Sequence, residues 1–202
     1  MPSALEILAG LTAIANQGVA IAIAWHVILA IALYAVARGW RPPRRAAAVL
    51  IAVPLASVAA LAFAFGNPFN GTVFTAGFAA LVVLAVRGDD RAVARGAAWA
   101  WWAGVAMLAF AWVYPHFLAG HPAAYLYAAP LGLVPCPTLS AAIGLALLAG
   151  SPGPRAWTLT LAGLGLFYGL FGVARLGVAL DLGLVAGAIA LGAVGLARPR
   201  DR

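Results

Sequence analysis

Two short stretches hold most of the side chains in this chain that could bind a metal or a reactive partner. GLVPCPTLS (132–140) carries the one cysteine, Cys136, between Pro135 and Pro137. PHFLAGHP (115–122) carries His116 and His121. A thiolate with two imidazoles would make a three-ligand set of soft and borderline donors. The two histidines are five apart with a proline beside each, so the i, i+4 spacing of a helical ligand pair is absent. The third histidine, His26 in IAWHVIL, suits either a haem or metal ligand or a donor to a neighbouring helix's carbonyl. Asp181 is an acid within an apolar run, and such a residue is a functional hypothesis by default.

Other chemistries are excluded. All twelve cationic side chains are arginine, so no lysine can form a Schiff base. There is no phosphate loop, HExxH, GxSxG or CxxC. One cysteine cannot form an internal disulfide. No residue pattern specifies a cofactor.

The elements that position these residues follow from composition. The 202 residues are 65% hydrophobic and only 8% charged, with mean hydropathy +1.03. Soluble domains carry about 25% charged residues. The chain therefore reads as an all-α, polytopic transmembrane bundle forming one domain over 1–202, with the lipid bilayer as its main partner. A barrel would show polar residues at alternate positions, and these apolar runs are continuous. The net charge of +7 is not a nucleic-acid signal, because the arginines sit in short loops between apolar runs.

Spans of the required length fall near 19–37, 46–65, 72–86, 97–114, 131–149, 157–174 and 177–197. The third is short and invites extension back into the preceding loop. Before the first, residues 3–18 place Leu5, Leu8, Leu11 and Ile14 at helical spacing, which predicts a helix at the interface or dipping between the others. No basic segment precedes the first apolar stretch, so no cleavable signal is expected. Arginine-rich and arginine-poor loops alternate at every crossing. Arg38, Arg41, Arg44, Arg45, Arg87, Arg91, Arg95, Arg155, Arg198, Arg200 and Arg202 fall on one side, and Arg175 alone on the other. The positive-inside rule then predicts seven spans, an outer N-terminus and a cytoplasmic C-terminus in a bacterial inner membrane.

Most other polar residues gather toward the outer side. They include Asn16, Gln17, Asn67, Asn70, Thr72, Thr75, Tyr114, His116, His121, Tyr125, Tyr127, Cys136, Thr138, Ser140, Arg175 and Asp181, with His26 somewhat deeper. Cys136, Thr138, His116, His121, Tyr114, Asn67, Asn70, His26, Arg175 and Asp181 are the candidate binding residues. The prolines permit two readings. A helix broken at Cys136 would aim its thiol and the Thr138 hydroxyl into a cavity. Alternatively, Pro137 lies in a first helical turn, where its missing N–H costs nothing, and Cys136 packs. Arg175 and Asp181 could pair only across a turn, since six residues on one helix separate their faces. Tryptophans 40, 99, 101, 102 and 112 suit an interfacial belt. The glycine steps Gly163/Gly165/Gly169 and Gly183/Gly187 suit close helix packing.

The chain resembles a family of bacterial multi-pass membrane proteins catalogued as domain-of-unknown-function family 6064. The stretches that carry the likeness are NQGVAIAIAWH (16–26), GNPFNGTVFTAGFAAL (66–81), YPHFLAGHP (114–122), APLGLVPCPTLSAAIGLALL (129–148) and DLGLVAGAIAL (181–191). Leu139 follows Thr138 where members of this look often have a second threonine. The resemblance implies a compact multi-span bundle and no particular activity. Three functions fit the residues. The first is binding or permeation of a small solute or metal ion at the outer polar zone. The second is an accessory or assembly subunit packed on other membrane subunits. The third is a membrane redox enzyme using Cys136 and the histidines.

Overall fold

The computed structural model describes residues 3–198; Arg200 and Arg202 of the basic tail lie outside the described residues. The chain runs α1 (Ala4–Gln17), α2 (Val19–Ala37), α3 (Arg44–Ala64), α4 (Pro68–Ala85), α5 (Ala98–Val113), α6 (Tyr125–Ala128), α7 (Pro135–Leu148), α8 (Arg155–Leu176) and α9 (Leu182–Ala197). Single 3₁₀ turns at Pro122–Ala124 and Ala179–Asp181 lead into α6 and α9. Among the described residues five helical segments are long and apolar enough to cross a membrane: α2, α3, α4, α8 and 179–197. α5 and α7 are apolar but shorter. Each predicted span overlaps one of these seven helices, five of which have the length and hydropathy of a membrane crossing. The third extends back to Pro68, as its shortness invited.

α7 explains how a short helix belongs in this bundle. Fourteen residues rise about 21 Å, less than the roughly 30 Å of hydrocarbon. Twelve of the fourteen are buried, so α7 meets protein rather than lipid and need not match its thickness. It packs against α3, α5, α8 and α9. Leu139, Ile143 and Leu147 form its contribution to a core with Leu55, Leu161, Leu184 and Leu191. At the α5–α7 crossing, a Cβ added to Gly104 would lie 2.8 Å from the Gly144 carbonyl, and one added to Gly144 3.0 Å from that of Gly104. Backbone therefore lies on backbone, the close approach that small residues permit between membrane helices. Of the glycines singled out by spacing, Gly165, Gly169 and Gly187 face α7, α9 and α5 closely, while Gly163 faces open space.

α1 opens with a capping box. The Ser3 hydroxyl accepts the Glu6 N–H, and the Ser3 N–H donates to the Glu6 carboxylate at 2.6 Å. These donors favour the charged form and hold the Glu6 carboxyl below its ordinary range. The cap is therefore complete above the usual carboxylate pKa and weakens as pH falls through the lowered one.

The loops sort into two faces. Arg44 N–H donates to the Arg91 carbonyl and Val93 N–H to that of Pro42, tying loops 38–43 and 86–97 together. The Arg44 and Arg198 guanidinium groups both donate to the Ser151 carbonyl, adding the α7–α8 turn and the end of α9. On the opposite face, the Asn16 amide donates to the Phe117 carbonyl and accepts the Ala119 N–H, both at 2.8 Å. That joins the end of α1 to the 114–124 loop.

Gly144→Val should separate α5 from α7 and lower stability by about 1–3 kcal/mol, the usual cost of overpacking. Thermal unfolding in detergent checks this, and an unchanged midpoint would mean the crossing is looser than described.

Candidate functional site

The predicted polar residues divide when the helices assemble. Asp181 ends the 3₁₀ turn after α8 and stands at the N-cap of α9. An aspartate there normally accepts an N–H of its own helix. Asp181 makes no such cap. Its Oδ1 instead accepts the Tyr114 hydroxyl at 2.7 Å, and its Oδ2 the Cys136 thiol at 3.2 Å. Asp181 is 1% exposed, Tyr114 0% and Cys136 9%. A carboxylate withdrawn from water needs such donors, and here they come from two other helices.

Each partner has a local reason to be in place. Tyr114 terminates α5, and its ring lies against Phe110 and Phe117. α7 begins at Pro135, with Val134 as its N-cap. Both prolines thus fall in the first turn, where an absent N–H breaks no helical bond. The helix is started at this motif rather than broken there. Cys136 nevertheless does more than pack, because the second helical position turns its thiol to Asp181. Gly172 on α8 completes the wall. A methyl at that position would overlap Asp181 Oδ2. Next to this centre, the Tyr168 hydroxyl donates to Asn70 Oδ1 at 3.1 Å, and both residues are buried. Ser140 lies one turn beyond Cys136 on the same face of α7, and among the described residues its buried hydroxyl has no hydrogen-bond partner.

Other candidates serve elsewhere. The Thr138 hydroxyl accepts the Gly132 N–H at 2.9 Å and donates to the Val134 carbonyl at 2.7 Å, so it braces the turn into α7 rather than facing a cavity. Asn67 caps α4 by accepting the Asn70 N–H. His26 is buried between the Ala22 and Trp112 carbonyls at 2.8 and 3.0 Å from its two ring nitrogens. It thus ties α2 to α5. Arg175 is exposed, whereas Asp181 is buried with both oxygens engaged by Tyr114 and Cys136.

The structure does not gather Cys136, His116 and His121 into one cluster. His121 is exposed and accepts the Ala123 N–H at the start of the 122–124 turn. Cys136 is buried, and its thiol donates to Asp181. His116, partly buried on the 115–121 loop, lies near enough to Asp181 to interact with it electrostatically. Among the described residues no group of three His, Cys, Asp or Glu side chains converges to hold a metal ion.

No protein-family profile matches the chain, and no curated protein or solved structure does either. Site chemistry is therefore argued from the residues. Tyr168, Ser140 and Gly172 complete the centre and were not among the candidates. Tyr168 and Gly172 lie within one apolar helix, where nothing in the local pattern marks them.

A paired substitution tests this packing. Gly163→Ala, with nothing within 4 Å of the new methyl, should be neutral or stabilising by up to about 1 kcal/mol from helix propensity. Gly172→Ala should destabilise, since Asp181 must move. Tyr114→Phe should cost about 1–3 kcal/mol by removing a donor to a buried carboxyl. Detergent thermal unfolding of the three variants reads all of these effects.

Proposed function

We propose that the protein binds, and passes or delivers, a small cationic or amine-bearing solute at the Asp181 centre. The observation that carries this reading is a buried acid that forgoes its own helix cap to accept donors from α5 and α7. Intramembrane carboxyls are costly and mark solute or ion paths when they occur. The unpartnered Ser140 hydroxyl supplies a further polar contact one turn along α7. A solute cation would replace the Tyr114 and Cys136 donors as the partner of the Asp181 carboxylate.

Access is assigned to the 115–121 loop. Phe117 lies parallel to the Tyr114 ring at 6.2 Å and covers it. Its φ of 80° is unusual for a residue with a side chain, and such strain collects at clamps and switches. Asn16 holds this loop from α1. Lifting it would expose Tyr114 and then Asp181.

The topology inferred with this reading is seven spans, with the arginine-rich face cytoplasmic and the Asp181 centre toward the outer leaflet of a bacterial inner membrane. The gathering of arginine loops on one face supports it. So does the enclosure of α7, which lets a short span serve. Membership in domain-of-unknown-function family 6064 remains part of the proposal and adds no activity. A second reading, as an accessory subunit, is supported by α2. That helix exposes Val27, Ile28, Ile31 and Tyr34 along one side and packs on the bundle mainly near α6.

The purified protein should gain thermal stability with at least one of ammonium, methylammonium or guanidinium, and Asp181→Asn should abolish the gain while Gly163→Ala keeps it. A panel that leaves wild type unmoved, or moves Asp181→Asn equally, would sink the solute reading. Phe117→Gly accepts the same backbone angle without strain and removes the covering ring. It should speed labelling of Cys136 by a water-soluble maleimide several-fold, and an unchanged rate would reject the 115–121 loop as the way in.

A further inference from the structure

We propose that a pocket on the arginine-rich face binds the phosphate of an anionic phospholipid headgroup. This site is separate from Asp181 and does not depend on the solute reading. Four guanidinium groups, those of Arg44, Arg91, Arg95 and Arg198, border a half-open cavity of about 260 Å³. They arrive from three places in the chain, the start of α3, the 86–97 loop and the end of α9, so the pocket is a product of tertiary assembly rather than a run of charge.

Two of the four are fixed. Arg44 donates to the Ser151 and Pro152 carbonyls and to Asp89 Oδ2 at 3.2 Å. Arg198 donates to the Ser151 and Gly153 carbonyls, each at 2.8 Å. The 151–153 turn thereby holds both arginines at the pocket wall. Arg91 and Arg95 are exposed at its mouth. The Arg95 guanidinium carbon lies over the Trp101 ring, 4.3 Å from its centre, a cation–π contact that anchors the group at the pocket. The floor is bare backbone. A Cβ on Gly150, whose φ is +62°, would come to 2.5 Å from the Ala94 carbonyl and 3.2 Å from the Gly96 nitrogen. No side chain can fill the cavity from there.

The charge balance and the depth select the ligand. Among the described residues Asp89 is paired with Arg44, while Arg91 and Arg95 bring two further cations to the mouth of the pocket. Guanidinium forks match phosphate oxygens in pairs. The volume lies below the usual range for drug-sized organic ligands and suits a headgroup fragment. Trp99 and Trp102 are exposed in the first turns of α5, immediately after Gly96, and exposed tryptophans of this kind sit at headgroup level. At that depth the abundant anion is a lipid phosphate, and basic pockets between membrane helices capture such headgroups.

The test compares two variants that lose the same charge. Arg91→Gln/Arg95→Gln empties the mouth of the pocket; Arg38→Gln/Arg87→Gln removes two arginines of the same face that do not border it. Each is purified from detergent containing equal phosphatidylglycerol and phosphatidylcholine, and bound lipid is read by native mass spectrometry. Wild type and Arg38→Gln/Arg87→Gln should retain phosphatidylglycerol preferentially. Arg91→Gln/Arg95→Gln should lose roughly tenfold or more of that retention at an unchanged unfolding midpoint. Equal losses in both variants, or none in either, would overturn the pocket in favour of general surface charge. Displacement of phosphatidylglycerol from wild type by millimolar inorganic phosphate would overturn the lipid as the ligand and assign the pocket to a soluble anion.

Discussion

The burial of one carboxylate governs the arrangement at one end of this bundle. Asp181 is almost fully withdrawn from water, and a charge so placed must be met by oriented donors. Its own helix offers N–H groups at that position, but the carboxylate turns away from them to Tyr114 and Cys136. That choice fixes the neighbours. α5 must end where the Tyr114 hydroxyl reaches Asp181. α7 must start where Cys136 falls in its first turn. α8 must present a glycine, because Gly172 lies where any methyl would overlap the carboxylate. The two prolines around Cys136 then have a physical sense. They define the start of α7 at a point where their missing N–H groups cost nothing.

The second governing feature is that α7 is surrounded by protein. A helix of this length facing lipid would leave hydrocarbon mismatched. Enclosed by α3, α5, α8 and α9, it can be short and carry small residues on several sides. The glycine contact between α5 and α7 draws the helices close, so that donors on different helices reach a single acid. The packing of the centre of the bundle and the polar centre at its end are thus one arrangement.

The two ends of the molecule differ in electrostatic character. One gathers guanidinium groups onto backbone carbonyls of the 151–153 turn and leaves a basic cavity beside exposed tryptophans. The other encloses an acid beneath aromatic rings and a strained loop. Arginine suits the first setting because its delocalised charge tolerates partial burial and its donors form a planar fork. Aspartate suits the second because a short side chain with two oxygens can serve two helices at once.

The sequence by itself determined the class of the protein, the place of its helices and the division of its loops. Lipid demands an apolar surface and satisfied backbone at every point of a span, so continuous apolar runs and the alternation of arginine-rich loops report these features locally. It also marked Asp181, Cys136 and Tyr114 as polar groups in need of a reason. Only the tertiary structure decided which of them meet. Asp181 lies 45 residues from Cys136 and 67 from Tyr114, and nothing in composition or period encodes those pairings. The same holds for Thr138, whose hydroxyl is consumed by the backbone of its own turn. Tyr168 and Gly172 were silent in sequence because a tyrosine or glycine in a membrane helix serves many purposes. Their role follows from what stands opposite them, and that is a property of helix packing rather than of any local stretch of chain.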